Sequence, residues 1–235
     1  MEVWEQARSQ TQVQRALTLL ALTVPGQSAA ELARYSIGRR DRELLALRER
    51  LFGSRLTGAV QCPACGQAVE LDFAVNDIRI EPVNETDLVH DLKWADYELC
   101  FRLPSSADLA ALEPHEGKLA AKTAIVQRCV TAVKLKGETT TSGPLPVAVI
   151  DALSERMAEL DPQGDVQLAL NCPGCSHRWE TPLDIASYLW AEIQTWAVRM
   201  LRDVHALASA YGWREADILS LSPWRRQVYL EMIQP

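Results

Sequence analysis

The sequence predicts an α+β protein, mainly helical, and three observations carry that prediction. Apolar residues recur at spacings of three and four through most of the chain, the mark of helices with one buried face. Short alternating stretches interrupt them at about 57–61, 68–73, 77–83 and 97–104, and these read as strands. Two near-copies of one device, "AVQCPACGQAVELDF" from Ala59 and "LALNCPGCSHRWETPL" from Leu168, each set a Cys-Pro-x-Cys turn between strand-like flanks.

The elements follow in order. From Val3 to Val24, the positions Val13, Ala16, Leu17, Leu20 and Val24 keep a helical period until Pro25-Gly26 breaks it. A short helix is expected over Ser28–Tyr35. A third begins near Gly38 and carries Leu44, Leu47 and Leu51 on one face, with Gly53 placed as a stop. The first cysteine device comes next, then the strand candidates "DIRIEPV" and "YELCFRLP". After Ser105 the pattern returns to helix in "SADLAALE", "GKLAAKTAIVQRCVTAVKL" and "PLPVAVIDALSERMAEL", the last begun by Pro146 and ended at Asp161-Pro162. The second cysteine device follows. A long helix from about Pro182 to Ala210 then carries Ile185, Leu189, Ile193, Trp196, Met200, Val204 and Leu207 on one stripe. Two short helices, "READILSL" and "PWRRQVYLEMI", close the chain. The expected organisation is a helical region 1–55, a first knuckle with strands 56–104, a helical insertion 105–163, a second knuckle 164–183 and a C-terminal helical region 184–235.

Bulk composition excludes several classes. With 48% hydrophobic and 23% charged residues, the chain is neither disordered nor of low complexity. Its 235 residues are enough to bury a sizeable core without a metal or disulfides. A net charge of −7 repels a phosphate backbone, which counts against nucleic acid as partner. The polar stretch Met1–Gln14 does not read as a secretory signal, so folding is expected in the cytoplasm. Asp184, Glu192, Arg199, Arg202 and Asp203 interrupt the apolar stretch 183–213, so no membrane span is expected.

Aligning the two cysteine devices also matches Gln61 with Asn171, Pro63 with Pro173, Val69 with Trp179 and Glu70 with Glu180. A Cys-Pro-x-Cys turn presents two thiolates on one tight loop, half of the four-sulfur tetrahedron that structural zinc takes. Cys62, Cys65, Cys172 and Cys175 together make one whole site, so a single structural Zn2+ is expected, uniting a small zinc-ribbon-like antiparallel sheet. The 106 residues from Gly66 to Asn171 form a long loop between half-sites, but closure entropy grows only logarithmically with length. Ribbons usually separate their pairs by about 15–20 residues, and two independent redox CxxC motifs or an unmetallated relic remain as alternatives. Cys100 and Cys129, among apolar neighbours, are expected to be buried core residues.

Four thiolates leave no open position for a catalytic water. A zinc deaminase would need His-x-Glu before its cysteine pair, and neither His90 nor His115 offers one. His177 and His205 are scattered. No nucleophile elbow, phosphate loop or dinucleotide turn is present, so no catalytic residues, no small-molecule substrate and no enzymatic activity are expected. Seven tryptophans are many for this length. Trp224 with Arg225 and Arg226 opens the last helix, and Trp and Arg are the residue types enriched where proteins meet. These three are the candidate partner contacts, and the residues describe a zinc-stapled adaptor.

"IGRRDRELLALRERLFGSRLTGAVQCPACGQAVELDF" and "DVHALASAYGWREADILSLSPWRRQVYLEMI" together resemble the T4-type bacteriophage baseplate proteins, a family also met in prophages and contractile phage-tail-like injection systems. The likeness covers about Ser36–Phe73 and Ile185–Ile233. It implies a role in baseplate assembly, as component or assembly factor, with other tail or baseplate proteins as partners and a place in the cytoplasm during assembly or in the finished particle. It carries over no catalytic or metal-binding residues, so the zinc expectation rests on cysteine spacing. The alternative from another class is a zinc-ribbon regulator binding nucleic acid or transcription machinery, against which the net charge of −7 counts.

Overall fold

The computed structural model describes residues 2–81, 89–112, 117–140 and 143–233, which divide into two compact units. One unit is Gln10–Ser187; the other joins the two ends of the chain, Met1–Ser9 and Tyr188–Pro235.

The helix expected from Val3 to Val24 is broken. Helix α1 (Glu2–Ala7) ends before Ser9, and α2 (Gln12–Leu20) restarts behind Thr11, whose hydroxyl accepts the Gln14 N–H while the Gln14 side chain accepts the Thr11 N–H. That reciprocal cap makes a new helix start more favourable than continuation. Helix α3 (Ala29–Leu32) is a single turn capped in the same way by Ser28 and Glu31. Helix α4 (Ile37–Phe52) is capped by Ser36 and stopped at Gly53, which takes φ 87°, a conformation glycine adopts without steric cost. Leu44, Leu45 and Leu47 are buried on it, together with Arg40, Asp41 and Arg48.

Strands β1 (Arg55–Gln61) and β2 (Ala68–Ala74) form an antiparallel hairpin around the first knuckle. Helix α5 (Val75–Ile78) then occupies the start of "DIRIEPV", so the strand expected there is not formed over its described part; its last two positions fall in 82–88, outside the described residues. Asp77 accepts the Ala74 N–H and so favours a helical turn over extension.

A four-stranded antiparallel sheet follows, in the order β3 (His90–Trp94), β4 (Tyr97–Phe101), β5 (Val130–Leu135), β6 (Glu138–Thr139). Helices α6 (Ser106–Ala110) and α7 (Lys118–Cys129) lie between β4 and β5, and α8 (Val147–Leu160) comes after β6. Leu99, Phe101, Val126, Cys129, Ile150 and Leu153 share one core. The helix expected through "QRCVTAVKL" stops at Cys129, and the chain continues as β5 paired to β4. Cys129 is buried as expected. Cys100 is only half-buried: Leu99 and Phe101 take the inner face of β4, so period-two alternation turns Cys100 outward, where its thiol donates to Asp91 at 3.0 Å.

A 3-10 turn at Pro162–Gly164 leads into the second hairpin, β7 (Gln167–Asn171) and β8 (Arg178–Pro182). The two knuckle hairpins are separate two-stranded sheets, not the one ribbon sheet the sequence suggested, because no ladder joins them among the described residues.

Helix α9 (Ile185–Tyr211) is the longest, and Ile185, Leu189, Met200, Val204 and Leu207 on its expected stripe are buried. Ile193 and Trp196 are half-buried, and Ala197 between the turns is fully buried. In the smaller unit, Trp4 Nε1 donates to Gln194 at 2.7 Å. Helix α10 (Glu215–Ser220) and helix α11 (Pro223–Ile233) close a core of Val204, Leu207 and Ile218, covered by Trp213, Tyr229, Leu230 and Ile233. Among the described residues no helix is long and apolar enough to cross a membrane.

Candidate metal centre

Each knuckle is a local product of its hairpin. Cys62 N–H donates to the Gln67 carbonyl and Gly66 N–H to the Cys62 carbonyl, both at 2.9 Å. The second knuckle repeats both bonds, Cys172 to His177 and Ser176 to Cys172, again at 2.9 Å. The turn requires a left-handed residue after its second cysteine: Gly66 has φ 74° and Ser176 φ 58°. Proline inside each turn fixes φ and asks for no hydrogen bond, so the loop is set before any metal arrives.

Tertiary structure brings the two turns together. Cys62 Sγ lies 3.7 Å from Cys175 Sγ, Cys65 Sγ lies 3.6 Å from Cys172 Sγ, and all four sulfurs fall within 4.8 Å of one another. Sulfurs placed about 2.3 Å from a central zinc would be separated by about 3.8 Å, so the spacing matches a four-thiolate tetrahedron. One cysteine of each knuckle is buried, Cys62 at 2% and Cys172 at 0% exposure, and the other is exposed. Val69 is buried with them, and Val60 and Trp179 pack alongside. The imidazole of His177 stacks on Trp179 at 5.9 Å between ring centroids and is not part of the sulfur cluster.

The electrostatics also suit a cation. Backbone N–H groups of Cys175 and then Gly174 donate to the Cys172 sulfur and, against burial, bring its pKa down to about 7. Cys175 receives an N–H from His177, yet hydrogen bonds shared with Cys65, Cys172 and Cys62, with burial, push it up to about 12. With protons alone, the cluster shares them unequally. A divalent cation would instead hold all four as thiolates.

Among the described residues no comparable constellation forms elsewhere. The thiol of buried Cys129 is pushed up to about 11, chiefly by burial, which leaves it protonated and unreactive. Among the described residues the only group of three or more potential ligands close enough to share an ion is the four-cysteine cluster. His115 lies outside the described residues. Of the candidate partner contacts, Trp224 is 73% exposed and Arg225 is exposed, whereas Arg226 is buried at 8%. What sequence reading missed is the acidic character of the channel beside the knuckles, where residues from β2, α5 and β7 converge. Alternation on those strands was its only signal.

No curated protein and no solved structure matches the chain. A family model does: that of the T4 bacteriophage base plate protein, over residues 3–190. The match takes in α4 with its Gly-Arg-Arg-Asp-Arg start, both knuckles and the whole larger unit, and ends within α9. "YGWREADILSLSPWRR", which contributed to the resemblance, lies beyond it. Because the match spans well over half of the sequence and includes the elements that carry the cysteine cluster, this chain belongs to the T4 bacteriophage base plate protein family.

Proposed function

We propose that the chain is a zinc-stapled protein acting in baseplate assembly of a contractile phage tail or phage-tail-like injection particle, as component or assembly factor. Base plate proteins of this family are structural, and the chain is not an enzyme. Family membership also points to other tail proteins as partners. In this reading Cys62, Cys65, Cys172 and Cys175 hold one structural Zn2+. The observation that carries it is the meeting of four sulfurs within 4.8 Å from two knuckles whose first cysteines stand 110 positions apart. A closed four-thiolate site has no catalytic water, so its service is mechanical: it fixes one hairpin to the other.

The same reading assigns the start of α11 to partner contact. Trp224 is a large exposed aromatic, and Arg225 stands beside it, available to a carboxylate on another tail protein. Buried Arg226 then seats the helix rather than reaching outward.

Elemental analysis of the purified chain tests the metal, with about one zinc per chain expected. Paired Cys62→Ser and Cys172→Ser substitutions should abolish it, whereas Cys100→Ala and Cys129→Ala should leave it unchanged. Zinc retained without the first pair, or lost with either of the second, would show the wrong ligands. For the partner surface, Trp224→Ala with Arg225→Ala should give folded, zinc-loaded protein that fails to support particle assembly. Normal particle numbers would overturn that assignment.

A further inference from the structure

Among the described residues β2 and β7 are each paired on one side only. Flanking bonds set the phase of both ladders: Cys62 N–H to Gln67 and Val75 N–H to Ser54 in the first hairpin, Cys172 N–H to His177 and Leu183 N–H to Val166 in the second. Alternation between these anchors aims the backbone N–H and C=O groups of Glu70 and Asp72 on β2, and of Gln167 and Ala169 on β7, away from their hairpin partners. Among the described residues no backbone hydrogen bond joins the two edges.

A cleft of about 580 Å³ is lined by both edges, Glu70–Phe73 on one side and Gln167–Leu170 on the other. Its lining also has a sign. Glu70, Asp72, Asp77 and Asp165 contribute to it, and among the described residues no Lys, Arg or His does. Asp72 already meets Arg55 at 2.5 Å, Asp77 accepts the Ala74 N–H, and Asp165 accepts from the Gln167 side chain. The Glu70 carboxylate makes no such contact among the described residues. Side chains alternate along both edges: Leu71, Phe73, Leu168 and Leu170 are half-buried, while Glu70, Asp72, Gln167 and Ala169 are exposed.

We propose that this cleft receives an extended segment of a partner protein as an added strand, with basic and apolar residues in alternation. Main-chain pairing to a free edge gives such a complex its affinity, and the alternating side chains its specificity. Apolar residues of the guest would cover the leucine and phenylalanine face, and its Lys or Arg residues would meet Glu70 and Asp72. A second copy of this chain is a poor guest, because its β2 edge carries the same acidic groups and its β7 edge offers no Lys or Arg. Nucleic acid is repelled for the same reason.

The probe is a fluorescent peptide alternating lysine and valine, titrated into the zinc-loaded full chain and followed by anisotropy. Saturable binding is expected, weakened about tenfold or more by N-methylation of alternate backbone amides, a loss of about one good hydrogen bond. A glutamate–valine peptide should not bind. Glu70→Lys with Asp72→Lys should abolish binding of the lysine peptide while keeping metal content. Ala169→Pro, which removes an outward N–H without touching the β7–β8 ladder, should weaken it. No binding of the lysine–valine peptide, or binding unaffected by N-methylation, would overturn the proposal, whatever the zinc analysis shows. Loss of zinc in the wild type with peptide binding intact would tell against the metal reading alone.

Discussion

Asp108 is 1% exposed, and its carboxylate accepts both Arg102 guanidinium nitrogens at 2.6 and 2.7 Å, the Ser105 N–H at 3.0 Å and the Ser105 hydroxyl at 2.8 Å. Burial alone would raise its pKa, but these bonds outweigh it and hold the group at about 2. A folded pKa below the unfolded value of about 3.9 means stability that is present above about pH 4 and lost as pH falls through about 2, worth about 3 kcal/mol. Denaturant titrations across that range should show the loss in the wild type and not in Asp108→Asn. Asp41 has the opposite sign. Burial raises it to about 6 despite Arg40 at 2.7 Å, so the folded state holds a proton that the unfolded state releases. Stability contributed by this residue should therefore fall as pH rises from about 4 to about 6, by about 3 kcal/mol, and Asp41→Asn should remove that decline. Backbone conformation gives a third test at this scale. Ser176 stands at φ 58° where the other knuckle has Gly66 at φ 74°. Ser176→Gly should leave zinc content unchanged and raise the midpoint of thermal unfolding, by up to about 1 kcal/mol in stability, with Gly66→Ala doing the reverse.

Among the elements, α4 depends on the smallest residue in its first turn. A Cβ at Gly38 would lie 1.9 Å from Asp161 Oδ1 and 2.9 Å from the Gly164 backbone nitrogen, while the Gly38 N–H itself donates to Asp161 at 2.8 Å. The side chain of Asp161 could rotate away only by giving up that bond, and the backbone behind it cannot. Gly38→Ala should thus destabilise the protein by about 1–3 kcal/mol, the range for forced overpacking, even though alanine favours helix. A denaturation midpoint equal to that of wild type would show that the turn at 162–164 yields freely. Helix α7 and β5 show a limit of periodic reading. "AIVQRC" and "VTAVKL" share an apolar pattern that fits either element, and β-branched Val130, Thr131 and Val133 extend only because β4 lies alongside to pair with them.

For the whole molecule, the metal should matter to the larger unit, Gln10–Ser187, which contains both knuckles. Chelation should lower its unfolding temperature, with hydrogen exchange rising first in β1, β2, β7 and β8, because the two hairpins share no ladder. Unchanged exchange in these strands after complete zinc removal would mean that packing of Val69, Val60 and Trp179 suffices without the metal. Legibility followed the range of the interactions. The stop at Gly53, the long α9 and each Cys-Pro-x-Cys turn were readable because their causes lie within a few residues, whereas the equally local cap at Thr11 and Gln14 was masked by the helical period that runs through it. Trp224, Arg225 and Arg226 read from their neighbours as one outward-facing group, and the fold leaves Trp224 73% exposed while burying Arg226 two positions later. Sequence by itself determined that four cysteines would stand in two matched turns. Only tertiary structure decided that their sulfurs meet and that the hairpins remain separate sheets whose β2 and β7 edges line one cleft with acidic residues around it. Those outcomes depend on pairing across more than a hundred residues, and no local preference specifies it.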